Sequence, residues 1–497
     1  MEEILMKKPF LLVCVVFILL FPAFSLQQLG EISYTDSPEL PGGIIGSRIQ
    51  SLIETLNSGS PGTIEKFLNS ECTERFKNFV SMDEHIGVFL SFLDQTGGVD
   101  FESIRTYVPA RPDQTVVILK DRNFGTFRAF VARFDQGTDS RFASIGFNTA
   151  RPPSYLETTT LSEDQFIENL KKLVMRLDKN LTFSGTLLFA KDDKVLFRHA
   201  AGEASKRFHV PNNIDTKFNL GSMNKMFTST AILQLVEQNR LSLDDTLDKY
   251  LDELWLPKDV TSKITIHHLL THTSGLGSYF NETYDRSSRL LFRQLDDYKS
   301  LIKDDRPQFT PGERFSYSNT GMFLLGVVIE KVTGENYFDY IRKNISDKSG
   351  MQNTDCYEMD YPVENLAIGY SRDRNSPYGW QNNIYKHVVK GGPAGGGFST
   401  VTDLFRFARA LVSGKLVSKP YLEKMWTDHA GSGYGYGFVI NEGEFGKSVG
   451  HGGGFPGINS NLEIFLDGGY TAAVMSNYDQ GATPLADWIR QNIAFIK

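Results

Sequence analysis

The sequence predicts an α+β protein: a small α+β unit, then a larger domain built on one antiparallel sheet covered by helices. Three observations lead there. Between residues 44 and 150 the hydrophobic spacing changes from a helical period to a strand period. Strand-like runs then stand at both ends of the stretch 162–497, with apolar helical runs between them. Two polar stretches with proline and glycine or threonine, 26–43 and 151–161, read as linkers between these parts.

The 497 residues carry a formal net charge of −7 and no block of lysine or arginine. Nucleic acid is therefore not an expected partner, because phosphate backbones need clustered cations. Residues 1–25 read as a signal peptide. Lys7-Lys8 precede the apolar run from Phe10 to Phe21, and Pro22-Ala23-Phe24-Ser25 gives a small-x-small exit. The run is short for a membrane span. No stable span is expected after its removal, and the protein is expected to be exported, periplasmic or extracellular; a retained N-terminal anchor is the alternative. Cys14 lies in this segment without the small residue before it that lipid anchoring favours. Cys72 and Cys356 are expected as free thiols, since a domain this size needs no disulfide framework.

In the small unit, 44–150, three apolar helical faces follow one another. They are Ile49, Leu52, Ile53 and Leu56; then Ile64, Phe67 and Leu68; then Ile86, Phe89, Leu90 and Leu93, closed by Gly97-Gly98. Strands follow at 101–108, 115–119, 126–134 and 142–147, divided by turn residues such as Pro112-Asp113 and Gln136-Gly137. This layout resembles the cone-shaped fold of the ketosteroid-isomerase and nuclear-transport-factor superfamily, without a sharp motif. With His85 as its one histidine and no evident carboxylate pair, the unit is expected to be a binding or structural accessory.

The domain at 162–497 opens with a helix over 164–177 and a hairpin, 186–190 and 195–199, about Asp192-Asp193. A long apolar helix starts near Ser222 and runs to about Gln238. Ser242-Leu243-Asp244-Asp245 reads as a capped turn, and Thr265 caps a helix that Ser274-Gly275 ends. Further apolar helices are expected over 321–332 and 404–412. Strands follow at 436–440, 462–466 and 471–475, before a last helix from Pro484. Strands at both ends imply a sheet in which the first and last strands are neighbours.

The chemistry is placed in Asn219-Leu220-Gly221-Ser222-Met223-Asn224-Lys225. Residues three apart on a helix share a face, so Ser222 Oγ and Lys225 Nζ are within mutual reach. A desolvated lysine gives up its proton more easily and suits a base acting on the serine. A helix start also leaves backbone N–H groups free for a developing oxyanion. A second Ser-x-x-Lys, Ser300-Leu301-Ile302-Lys303, sits among aspartates and reads as a solvated amphipathic helix. Around Ser222 almost the only charge is Lys225. As a pattern alone, Ser222 reads equally well as a helix N-cap.

Two later stretches offer partners. Tyr317 and Asn319, in Ser316-Tyr317-Ser318-Asn319-Thr320, stand just before an apolar helix. A tyrosine near Lys225, partly phenolate, suits base and then acid work, and Asn319 offers an amide to a substrate amide. A buried tyrosine and a capping asparagine are the plainer alternative, and Tyr279-Phe280-Asn281 repeats the pattern. In Val449-Gly450-His451-Gly452-Gly453-Gly454-Phe455 the glycines let a ligand approach the backbone. A strand edge there suits an extended substrate, and the N–H of Gly454 would join that of Ser222 in an oxyanion hole. The alternative is a hairpin turn.

In this order, Ser-x-x-Lys, Tyr-x-Asn and His-x-Gly resemble the motifs of the penicillin-recognising serine hydrolases. The likeness is greatest to the class C β-lactamase-like branch, with its D-alanyl-D-alanine carboxypeptidases, D-amino-acid peptidases and esterases. Stretches 269–276, 311–321 and 396–400 add to it, and it spans about 165 to 490. The resemblance implies a β-lactamase/transpeptidase-like sheet, Ser222 as nucleophile, Lys225 as its activator and Tyr317 as general base and acid. It makes Asn319, His451 and Gly453 substrate contacts, with no metal or cofactor. The implied activity is hydrolysis through an acyl-enzyme of an amide or ester, in a small-molecule or peptide substrate. True β-lactamases usually carry lysine where His451 stands. A histidine, mostly neutral near pH 7, holds a β-lactam carboxylate less strongly, so peptidase or esterase activity is expected over β-lactam turnover.

The alternatives are a β-lactamase proper and a non-catalytic protein that binds penicillin or cell-wall peptide. An α/β-hydrolase is suggested by Gly446-Lys447-Ser448-Val449-Gly450, but the oxyanion loop would then follow the serine and no histidine follows His451. His267, His268 and His272 suggest zinc, yet no glutamate stands between them as in His-Glu-x-x-His. They read as packing and capping residues.

Overall fold

The computed structural model describes residues 33–109, 114–135, 137, 139–156 and 160–497. The expected signal peptide, the start of the 26–43 stretch and the turn residues Pro112, Asp113 and Gln136 lie outside them. The chain divides into two compact units, one reaching Ser162 and including Lys497, the other Glu163–Ile496. Among the described residues no helix is long and apolar enough to cross a membrane.

The first unit is a five-stranded antiparallel sheet of order β1-β2-β3-β4-β5. The four strands after the helices lie where the alternation places them: β2 (Val99–Val108), β3 (Thr115–Asp121), β4 (Phe127–Phe134) and β5 (Phe142–Thr149). The edge strand β1 (Ser33–Ser37) corrects the linker expected over 26–43. Its residues are polar, so no apolar alternation marks it. It is held instead by Asp36, which accepts from Arg105 Nε at 3.0 Å with both side chains buried. Helices α1 (Gly43–Ser58), α2 (Pro61–Glu71) and α3 (Met82–Thr96) lay Leu52, Leu56, Phe67 and Phe89 against Val117, Leu119, Phe130 and Phe142 of the sheet. Ser81 and Glu84 cap α3 reciprocally, and Gly97 ends it at φ +67°. Cys72 is buried here as a free thiol.

The second unit opens with α4 (Glu163–Lys179) and the hairpin β6 (Gly185–Lys191) and β7 (Lys194–Ala201). Its last strands are β8 (Val439–Gly443), β9 (Gly446–Phe455), β10 (Ile458–Phe465) and β11 (Tyr470–Ser476). They make one six-stranded antiparallel sheet of order β8-β9-β10-β11-β6-β7, so the first and last strands are neighbours as expected. The strand expected at 436–440 starts later, at Val439, because Gly437 has φ +74° and cannot continue an extended backbone.

Helices cover both faces of this sheet. On one, Phe189 of β6 meets Phe166 of α4 at 5.0 Å between ring centroids, and Phe166 meets Trp488 of the last helix (Thr483–Ile493) at 5.6 Å. On the other, Leu188, Ala473, Met475 and Leu462 join the main core. That core surrounds α5 (Asn224–Glu237), whose residues 224–235 are all buried. A helix buried on every side is a central one. Three more helices matter for the site: α6 (Ile266–Leu270), α7 (Asn319–Thr333) and α8 (Val401–Val412). Phe407 of α8 packs edge-on against Phe227 of α5 at 4.7 Å.

Candidate active site

Ser222 sits in a single tight turn, Gly221–Met223, that leads into α5. Gly221 has φ +50°, and a Cβ there would lie 2.8 Å from the amide nitrogen of Gly454. The serine turn is thus packed against β9. On its other side it is stitched to the stretch 394–399. Leu220 N donates to Gly397 O at 2.7 Å, Gly396 N donates to Gly221 O at 3.1 Å, and Phe218 and Asn219 pair with Ser399 and Phe398. Asn224 Oδ1 accepts from Gly397 N at 3.0 Å. The stretch 396–400 is therefore the scaffold that fixes the serine.

Lys225 is fully buried. Desolvation lowers its pKa well below the ordinary lysine value, which favours the neutral amine. A neutral primary amine has two hydrogens and one lone pair. Ala394 O, at 2.5 Å, and Asn319 Oδ1, at 2.9 Å, are acceptors only, and each takes a hydrogen. Nζ also lies 3.0 Å from Ser222 Oγ, and in the neutral form its lone pair is the group left to accept from that hydroxyl. The amide group of Asn319 is oriented by its Nδ2, which donates to Ser278 Oγ at 3.3 Å.

Tyr317 lies beside both groups. Lys225 Nζ is 4.9 Å from its ring centroid, and its hydroxyl faces that of Ser222 closely enough for the serine to influence the phenol's pKa. The residue as a whole is 38% exposed, while its oxygen is desolvated by the surrounding site. Desolvation pushes the phenol's pKa up, and the neighbouring Ser222 offsets only part of the rise. The phenol stays protonated. This runs against the expectation of a partial phenolate: with its pKa raised by burial, Tyr317 is placed to give a proton and not to take one.

His451 is buried in β9, and burial lowers its pKa to about 3. Its Nδ1 lies 2.5 Å from Gly452 O, an acceptor, so Nδ1 carries the hydrogen. Nε2 then accepts from the hydroxyl of Tyr434, 3.1 Å away. A neutral ring with both nitrogens occupied gives the site no fixed positive charge. Strand β8 pairs with β9 only over 446–450, so His451–Phe455 runs past it as an edge that β8 leaves uncovered. Gly454 lies on that edge, and a Cβ there would meet nothing within 4 Å. Gly453 differs. A Cβ there would stand 1.9 Å from Leu220 O, so its bare backbone is needed for the close approach to the serine turn. The glycine is a packing requirement of that turn.

The structure thus brings Ser222, Lys225, Tyr317 and Asn319 together, with His451, Gly453 and Gly454 on the adjoining strand. Sequence reasoning missed three participants. The carbonyl of Ala394 is invisible to any side-chain pattern, although the glycine tract around it, 391–397, marks a stretch of close backbone approach. Tyr434 carries no signal beyond its neighbouring glycines. His272 stood in a quoted stretch, but as a packing residue. The other two histidines weighed for zinc are placed otherwise: His268 Nδ1 accepts from Thr265 N as a helix cap, and His267 Nδ1 bonds the hydroxyl of Tyr436.

The family model described as Beta-lactamase matches residues 171–494. Penicillin-binding protein 4* of Bacillus subtilis (strain 168) is 31% identical over 338 residues, which are 63% of this chain and 72% of that protein. Among solved structures, a penicillin binding protein from Bacillus halodurans superposes with a TM-score of 0.59 at 31% identity, over 64% of this chain and 98% of that one. A D-stereospecific amidohydrolase from Streptomyces sp. gives a TM-score of 0.53 at 29% identity, over 62% and 93%. The matched stretch encloses every residue of the constellation from Ser222 to Gly454, and the chain belongs to the beta-lactamase family.

Proposed function

We propose that the protein is an exported serine hydrolase that cleaves amide or ester bonds, in D-amino-acid peptides or small esters, through an acyl-enzyme on Ser222. The observation that carries this is the fully buried Lys225, its pKa lowered by desolvation, with Nζ 3.0 Å from Ser222 Oγ. Lys225 takes the proton as Ser222 Oγ attacks the carbonyl carbon. The oxyanion is held by the N–H groups of Ser222 and Gly454. Tyr317 gives its proton to the departing amine or alkoxide, and the Lys225 ammonium restores it. Water then enters by the same relay reversed, and the acid leaves. The uncovered edge at 451–455 suits an extended acyl chain.

The neutral His451 disfavours substrates that depend on a carboxylate anchor, so β-lactams are poor substrates. The amidohydrolase among the solved structures supports amide substrates, and the apolar run after Lys7-Lys8 supports export. The test is a panel of D-amino-acid amides, p-nitrophenyl esters and a chromogenic cephalosporin, with an active-site serine probe and Ser222→Ala as control. Labelling of the wild type alone, with amides or esters turned over faster than the cephalosporin, is the expected result. No labelling of the wild type would show a binding protein, and a cephalosporin turned over far faster would show a β-lactamase.

A further inference from the structure

Tyr317 protrudes from the chain just before α7 and depends on something to hold its oxygen beside Ser222. His272 does this from the other side. It is fully buried, two residues past the end of α6, at a strained φ of +56°. Its carbonyl accepts from Ser316 N at 2.8 Å, and its ring Nδ1 accepts from Ser318 N at 3.1 Å. These are the two amides that flank Tyr317. Its ring also lies against that of Tyr317, with centroids 4.3 Å apart, and against that of Tyr434 at 4.7 Å. One residue therefore grips the loop at 316 and 318 and backs the phenol between them.

We propose that His272 is a positioning residue for proton donation by Tyr317, acting through the Nδ1 acceptor it offers to Ser318 N. The inference rests on the acyl-enzyme function above. Because Nδ1 accepts, the ring hydrogen sits on Nε2, which is buried without a hydrogen-bond partner. A buried donor left unpaired is a cost that packing alone does not demand. A phenylalanine would fill the same space among Phe315, Tyr317 and Tyr434 without it. The acceptor on the other nitrogen is what the histidine adds.

The discriminating readout is the leaving group. An amide leaves only if its nitrogen is protonated, whereas p-nitrophenolate leaves without a proton. His272→Asn places an amide oxygen near the position of Nδ1; His272→Gln carries it further out, near that of Nε2. In His272→Gln, kcat/KM for a D-amino-acid amide is expected to fall about 100-fold, the scale of a lost general acid, and that for a p-nitrophenyl ester less than about 5-fold. In His272→Asn the amide-to-ester ratio is expected to stay within about 5-fold of wild type. Probe labelling of Ser222 in each variant reports an intact fold. If His272→Gln is not labelled, the ratio in His272→Asn decides alone. A parallel fall on both substrates, an unchanged ratio in His272→Gln, or a collapsed ratio in His272→Asn would overturn the inference while leaving the proposed function standing. A wild type that hydrolyses neither substrate overturns both.

Discussion

Gly453 and Leu220 meet backbone to backbone: a Cβ on the glycine would stand 1.9 Å from the leucine carbonyl oxygen. That carbonyl cannot yield freely, because Ser460 Oγ donates to it at 2.8 Å. Gly453→Ala is therefore expected to push the serine turn off β9, costing about 1–3 kcal/mol of stability, as overpacking does. Ser222 labelling should fall with it. Gly454→Ala, whose Cβ enters open space, should melt within about 0.5 kcal/mol of wild type, like other unpacked surface changes. Thermal melts and probe labelling of the pair check this; equal melts would refute the close contact.

Lys225→Met should abolish acylation and also reveal the state of the amine. In the folded protein burial holds the amine neutral, with its pKa well below the usual 10.5. The unfolded chain binds that proton below the usual value, so wild-type stability drops as pH is lowered through this window. The methionine variant lacks the term. Its stability relative to wild type is expected to rise by up to about 1.4 kcal/mol per pH unit on going down from about pH 10, until the folded amine is itself protonated. Urea unfolding of both proteins across this range reads it, and a constant difference would mean a charged lysine.

His451→Lys would put a cation where the wild type has a neutral ring bonded to Tyr434 and Gly452. Acylation by a carboxylate-bearing cephalosporin, relative to an uncharged ester, should rise about tenfold, the scale of one charge-assisted hydrogen bond. Stopped-flow acylation with both compounds measures the ratio. An unchanged ratio would place the substrate carboxylate elsewhere.

Asn319→Ala removes one of the two acceptors that orient the Lys225 amine. Freed to turn, the amine no longer directs its lone pair at Ser222. The kcat for amides is expected to fall about 100-fold, as for a misplaced general base, with stability changed by only about 1 kcal/mol for the lost hydrogen bond. Steady-state kinetics beside a thermal melt separates the two.

What sequence reasoning resolved follows from how each group is specified. Five strands of the six-stranded sheet and the buried helix at Asn224–Glu237 are written in the spacing of apolar side chains, whereas the glycine-rich β9 carries no such spacing. Ser222 and Lys225 are legible because one helical turn relates them. Tyr317 and Asn319 were placed only through their company with other motifs, since nothing in the chain ties Asn319 to Lys225, 94 positions before it. Strand β1 was hidden because a buried Asp36–Arg105 pair, not apolar alternation, secures it. The Ala394 carbonyl and the protonated state of Tyr317 were beyond reach, as the first is backbone and the second is set by crowding around one oxygen.

Strand β11 pairs with β6, joining Ser476 to Gly185 across most of the second unit. A nascent chain therefore emits the β6–β7 hairpin long before its sheet neighbour exists, and contacts this distant in sequence form slowly. The edge beside Ser222 is itself made from residues 451–455, which are also translated late. A ribosome that stops short of that point releases the nucleophile and its base without the wall they work against, so shortened products are expected to be inert, not merely weak.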